Sequence, residues 1–133
     1  MEDTEWKLRC DLAACHHLFH HFGWTDVIFT HLSVRLPQNK NHYLTTPYGL
    51  MFEEVTASNL VKVDFAGNIL AGESYMNAGH AIHTAIMKTR QNVNCIFHSH
   101  TRAGIAVSCM KEGLMNLSQQ SGEIQDKINY YDY

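Results

Sequence analysis

The sequence predicts an α/β layered sandwich, with a largely antiparallel central sheet flanked by helices. Three observations carry that reading. Apolar side chains recur at helical spacing near the N-terminus and again over residues 76–90. Between them lie β-branched and aromatic runs joined by polar or glycine-containing turns, the pattern of hairpins. A short apolar strand and a small-residue helix then follow. Helices interleaved with hairpins favour an antiparallel sheet in a layered fold.

The first helix is expected over residues 5–22, where Leu8, Leu12, Cys15, Leu18, Phe19 and Phe22 fall on one stripe. Gly23 stands where a helix C-cap glycine belongs. Residues 27–35 read as a strand, Pro37 to Asn41 as a polar hairpin loop, and His42–Thr46 as the returning strand. Thr46-Pro47-Tyr48-Gly49 is a turn, since proline presets one φ and glycine permits a positive one. Residues 56–59 suit a short helical turn, Leu60–Phe65 an edge-like strand, and Ala66-Gly67-Asn68 the next hairpin turn before Ile69-Leu70. A second helix over 76–90 leads to a short buried strand, Val93–Phe97, and Thr101–Met110 suits a close-packed helix.

At 133 residues the chain is one domain at most, 1–133, or a piece of one. Its net charge of −3 and its isolated lysines and arginines lack the electrostatic footprint of a nucleic-acid binder. No stretch approaches the ~18 apolar residues of a membrane span, and the acidic start, Met1-Glu2-Asp3-Thr4-Glu5, resembles neither a secretory signal nor a transit peptide. A cytoplasmic protein is expected. Cys10, Cys15, Cys95 and Cys109 form no CxxC pair and read as free, reduced thiols, with Cys95 and Cys109 in the core.

Ten histidines are many for this length, and several cluster: His16-His17, His20-His21 and His98-Ser99-His100. In extended backbone, side chains at i and i+2 share a face, so His98 and His100 could converge on one cation. Spacing alone leaves two ordinary polar histidines as an open alternative. His16, His17, His20 and His21 read as the solvated face of the first helix.

Asn77-Ala78-Gly79-His80-Ala81-Ile82-His83-Thr84-Ala85-Ile86, followed by Asn92 to Thr101 with its His-Ser-His, resembles the class II aldolase/adducin signature. Leu8 to Ala14, Phe22-Gly23-Trp24, Glu54 to Lys62 and Ala106-Val107-Ser108 match it in the same order. The resemblance runs from about residue 6 to the end of the chain and is closest to the adducin head-domain subgroup. It implies a divalent metal, usually zinc, held by His98, His100 and a third histidine beyond this chain. Such a metal polarises a carbonyl during C–C cleavage. The resemblance further implies that Ser33, Thr46 and Gly49 line a substrate pocket, that His31 either lines it or serves a structural hydrogen-bonding role, and that His83 packs near the metal. His80 reads as a local variation.

Three departures qualify that expectation. Gly79 stands where the aldolases carry their acid/base glutamate, and Glu73 does not align with it. The phosphate-binding Gly-Asn-x-Ser and Thr-Pro-Ser-Gly of the aldolases appear as Thr30-His31-Leu32-Ser33 and Thr46-Pro47-Tyr48-Gly49, with a bulky Tyr48. The chain also stops before the family's later elements. The expected function is therefore a metal-dependent aldolase-type lyase for a small hydroxy-carbonyl compound, assembled as a homo-oligomer, with no catalytic residue assigned. Two alternatives are a non-catalytic adducin-like assembly domain and a truncated, inactive remnant.

Overall fold

The computed structural model describes residues 3–74 and 79–131 and comprises two compact units, Met1–Ser99 and His100–Tyr133. In the first, helix α1 (Asp3–His21) carries acidic Asp3 and Glu5 in its first turn and His20 and His21 in its last. Both placements complement the helix dipole. It ends as its glycine foretells: Gly23 adopts φ +67°, its N–H donates to the His20 carbonyl, and the Trp24 N–H reaches back to that of Phe19 at 2.9 Å. This paired closure satisfies carbonyls that the last turn leaves orphaned.

The strands are β1 (His31–Arg35), β2 (His42–Thr45), β3 (Val61–Asp64), β4 (Ile69–Ala71) and β5 (Cys95–His98). They form one sheet in the order β4-β3-β2-β1-β5, antiparallel at every junction. Each face is covered. On one side Leu32, Val34 and Leu44 pack with Leu12 and Ala13 of α1 and with Phe52, Val55 and Leu60. On the other, Tyr43, Val61 and Val63 meet Met87 of helix α2 (Gly79–Thr89). The expected sandwich is what the fold shows.

Buried arginines fasten the layers. Arg9 of α1 is 2% exposed; its guanidinium donates to the carbonyls of Leu60 at 2.8 Å and Ala57, and its Nε to Glu5. Lys62 of β3 reaches the other oxygen of Glu5 at 2.8 Å.

Several expectations need correction. The first strand begins at His31, not residue 27, because Val27 sits at φ +47° and a turn closes from the Phe29 N–H to the Asp26 carbonyl. β3 is an interior strand. β5 is the edge instead, paired only to β1, so its residues alternate between exposed and half-buried and are not buried as expected. Cys95 on it is exposed, as is Cys109, so neither is a core thiol; all four cysteines are free. Residues 76–78 of the expected second helix lie outside the described residues.

The second unit holds α3 (Arg102–Ser108) and α4 (Gln119–Ile124). The Thr101 hydroxyl caps α3 by accepting from the Gly104 N–H at 3.0 Å, and Ser118 caps α4 in the same way. The close-packed helix expected here does not bury any of its residues. Among the described residues no helix is long and apolar enough to cross a membrane.

Candidate functional site

β1 is buried on both faces. Leu32 and Val34 face α1, so His31, Ser33 and Arg35 point the other way by the two-residue period of a strand. All three meet α2. There Gly79, His83 and Met87 stand one turn apart along the buried stripe. His83 Nδ1 lies 2.6 Å from Ser33 Oγ, and its Nε2 lies 3.1 Å from His31 Nδ1. Arg35 donates to the Met87 and Arg90 carbonyls at the end of α2.

The absence of a side chain at Gly79 is structural as well as chemical. A Cβ there would fall 2.2 Å from His31 Cε1 and 2.5 Å from both ring nitrogens. The imidazole of His31 occupies the space that any other residue at 79 would need. Across the sheet His31 pairs with His98, and the two rings stack at 4.6 Å with planes 18° apart. His31, His83 and His98 thus share one end of the sheet. Burial first, and then the neighbouring His31 and His98, push His83 down to about 3, so it is neutral at pH 7. Its single ring proton links Ser33 to His31 in either direction.

A cavity of about 90 Å³ opens at the same end, walled by residues 28–31 entering β1 and 46–48 leaving β2. Two threonines in its wall differ sharply. Thr46 is fully engaged: the Leu32 N–H donates to its Oγ1 at 2.9 Å, and His16 Nε2 lies 2.8 Å away. His16 Nδ1 faces the Leu12 carbonyl at 2.7 Å, and a carbonyl only accepts, so Nδ1 carries the proton. Burial pushes His16 down to about 4, against the opposing pull of that carbonyl; the ring is neutral, and Nε2 must accept from Thr46. Thr30 is the contrast. It is 2% exposed, and its Oγ1 has no hydrogen-bond partner, the one such buried side-chain polar atom among the described residues.

His16 is therefore no solvated residue: it is fully buried and packs edge-on against Phe52 at 4.5 Å. His17 bonds the Val55 carbonyl. His80 is likewise tied in, its Nδ1 2.5 Å from the Tyr43 hydroxyl. Because His16 charges near its ordinary pKa only when unfolded, stability is intact above pH 6.5 and declines as pH falls toward 4. The decline expected from His16 alone is about 3 kcal/mol at 1.36 kcal/mol per unit. Urea unfolding at pH 7 and pH 4.5 measures it, and a His16→Gln variant should show a shallower slope.

Of the residues expected at a site, Thr46 lines the cavity, Ser33 lies fully buried beneath His83, and Gly49 follows in the next turn at φ +92°, outside the cavity wall. His98 closes β5; His100 begins the second unit. Both are half-buried. Neutral imidazoles suit zinc. Yet among the described residues no three His, Cys, Asp or Glu side chains are grouped to hold a metal ion. The described residues supply at most part of a ligand set. Thr30 escaped sequence reasoning because an unsatisfied hydroxyl is visible only once its neighbours are placed.

A sequence profile described as "Class II Aldolase and Adducin N-terminal domain" matches residues 10–133. A Pseudomonas aeruginosa protein provisionally named an aldolase class 2 protein is 50% identical over 132 residues, 98% of this chain and 51% of that protein. Mouse alpha-adducin is 42% identical over 130 residues, 95% of this chain but 18% of adducin. Among solved structures, an aldolase II superfamily protein from Pseudomonas syringae superposes with TM-score 0.95 at 43% identity, covering all of this chain and 55% of that one. An L-fuculose 1-phosphate aldolase from Glaciozyma antarctica gives 0.85 at 34% identity, covering 93% and 51%. The chain spans about half the length of the bacterial relatives it matches.

Proposed function

Since this chain belongs to the class II aldolase and adducin N-terminal domain family, we propose that it forms part of a metal-dependent lyase acting on a small hydroxy-carbonyl compound. The observation that carries the reading is the convergence of His31, His83 and His98 at one end of the sheet, with His31 also in the wall of a small cavity. His98 and His100 are the ligands proposed for a divalent cation, zinc by donor type. Further ligands must come from outside the described residues. When bound, such an ion polarises a carbonyl oxygen. His31, backed by His83 and Ser33, then borders the reacting region and fixes its shape.

Metal content tests this directly. Protein purified without added metal should carry near-stoichiometric zinc by elemental analysis, and a His98→Ala/His100→Ala variant should carry essentially none. Equal metal in both, or none in either, would reduce the family membership to shared ancestry. Self-association belongs to the same proposal, because Phe22, Trp24, Val27 and Phe29 are exposed apolar side chains of the first unit. Sedimentation of the same samples should show more than a monomer.

A second reading rests on the adducin identity together with Gly79, which offers no proton-transfer group. In it the fold serves assembly without chemistry. Zinc-free protein that still self-associates is the result that would favour it.

A further inference from the structure

Of the two directions open to the ring proton of His83, hydrogen-bond accounting selects one. Ser33 is fully buried and His83 is 2% exposed, so both lie out of reach of bulk solvent. Among the described residues the Ser33 hydroxyl has one partner, His83 Nδ1 at 2.6 Å. If that nitrogen donated to the serine, the hydroxyl hydrogen of Ser33 would be buried with no acceptor. Ser33 must therefore donate. His83 Nδ1 then accepts, so the proton of this ring sits on Nε2 and is donated to His31 Nδ1 at 3.1 Å. With its Nδ1 lone pair taken, His31 carries its own proton on Nε2. We propose that Ser33 and His83 are positioning residues that hold His31 as a hydrogen-bond donor, its Nε2–H directed away from them at the end of the sheet.

This deepens the lyase reading, and its meaning for a ligand rests on that reading. His31 meets an acceptor oxygen, a carbonyl or a carboxylate, and neither abstracts a proton nor coordinates a cation. A neutral imidazole coordinates through a ring-nitrogen lone pair, and the one that His31 retains faces His83. The contact with His98 is face to face, with planes 18° apart, so it leaves the edge bearing Nε2 in a plane of its own. Gly79 supplies the room: a Cβ there would fall 2.5 Å from that nitrogen. His31, and not residue 79, thus presents the polar group. It is half-buried, where Ser33 and His83 are closed off. The donor is set from the inside of the molecule outward, each hydrogen bond deciding the next.

The test uses the full chain with nitrogen-15-labelled histidine and chelator present, at neutral pH. Long-range proton–nitrogen NMR spectra tell a protonated ring nitrogen from a bare one. Both His31 and His83 should carry the proton on Nε2, with a preference of about tenfold or more, the worth of one hydrogen bond. His31 protonated mainly at Nδ1, or at both nitrogens, would overturn the proposal. Ser33→Ala removes the donor that sets the direction, and the preference at His31 should fall to about threefold or less. Ser33→Thr, which keeps a hydroxyl, should restore it. An unchanged preference in Ser33→Ala would show that the serine does not set the direction, and would also overturn the proposal. If the alanine variant folds poorly, the parent spectrum still decides. Zinc is then added to the parent. His31 should keep its Nε2 proton while the nitrogen signals of His98 and His100 move. Displacement of that proton would make His31 a metal ligand and contradict the assignment. No response to zinc from any histidine would sink the metal-dependent reading instead, and the metal-free spectrum would still judge this one.

Discussion

Arg35→Met is expected to remove about 3 kcal/mol of stability, because it strands the buried Met87 carbonyl together with the part-buried carbonyls of Lys40, Val93 and Arg90. Arg35 is 4% exposed and, among the described residues, forms no salt bridge with a carboxylate. Its charge is dispersed over backbone oxygens: Lys40 and Met87 at 2.6 Å, Val93 at 3.2 Å and Arg90 at 3.4 Å. Two of these belong to the end of α2 and the residue after it, where carbonyls carry the negative end of the helix dipole. The guanidinium therefore holds the hairpin loop, the helix end and the approach to β5 in one cluster, with its Cζ 5.4 Å from the centroid of the Phe65 ring. Methionine fills much of the same volume but donates nothing. Arg35→Lys should recover only part of the loss, since an ammonium on a single stem cannot span carbonyls in several directions. Chemical denaturation of the three proteins at pH 7 gives the comparison, and a loss under 1 kcal/mol in the methionine variant would contradict this account.

Gly79→Ala should produce the other large effect, and its sign runs against helix propensity. Alanine is favoured over glycine in helices, by about 1 kcal/mol in an interior, and Gly79 opens the described span of α2. Here the new methyl would meet the His31 ring at 2.2 Å. That ring is hemmed in by His83 at 3.1 Å and stacked on His98, so relief requires its expulsion or movement of α2. A net loss of about 2 kcal/mol is expected, in the usual range for overpacking. The decisive comparison is Gly79→Ala combined with His31→Ala. The double variant should be more stable than the two single losses predict, with a coupling above about 1 kcal/mol. Additive losses would show that the two positions do not compete for one space.

Much of the architecture could be read from residue order. The stripe from Leu8 to Phe22 with Gly23 behind it gave the first helix and its closure, and the polar turns gave both hairpins. Reading failed where tertiary neighbours decide. The strand read over residues 27–35 carries no sign in its order of what would cover the face of His31, Ser33 and Arg35. In fact α2 returns from about fifty residues away in the chain and buries that face. The same blindness exposed Cys95, whose apolar neighbours suggested a core strand that turned out to be the sheet edge. His16 was assigned to solvent because its histidine neighbours were, yet Thr46 and Leu12 hold it inside. At the site, the importance of Gly79 was legible as a missing carboxylate. The fact that His31 fills the gap was not, since it depends on an approach between residues 48 apart.

The strand order carries a consequence for how the molecule assembles. β1 to β4 pair each with the next, so their contacts close short loops. β5 joins β1 antiparallel across the whole intervening chain, with His31 opposite His98. Closing that long loop has a larger entropic cost, and contacts so distant in sequence are slow to form. The meander and its α1 covering can therefore take shape while His31 still lacks its stacked neighbour. Only the last strand to dock brings His98 to the end of the sheet. A scaffold formed ahead of its histidine cluster is the order this topology favours.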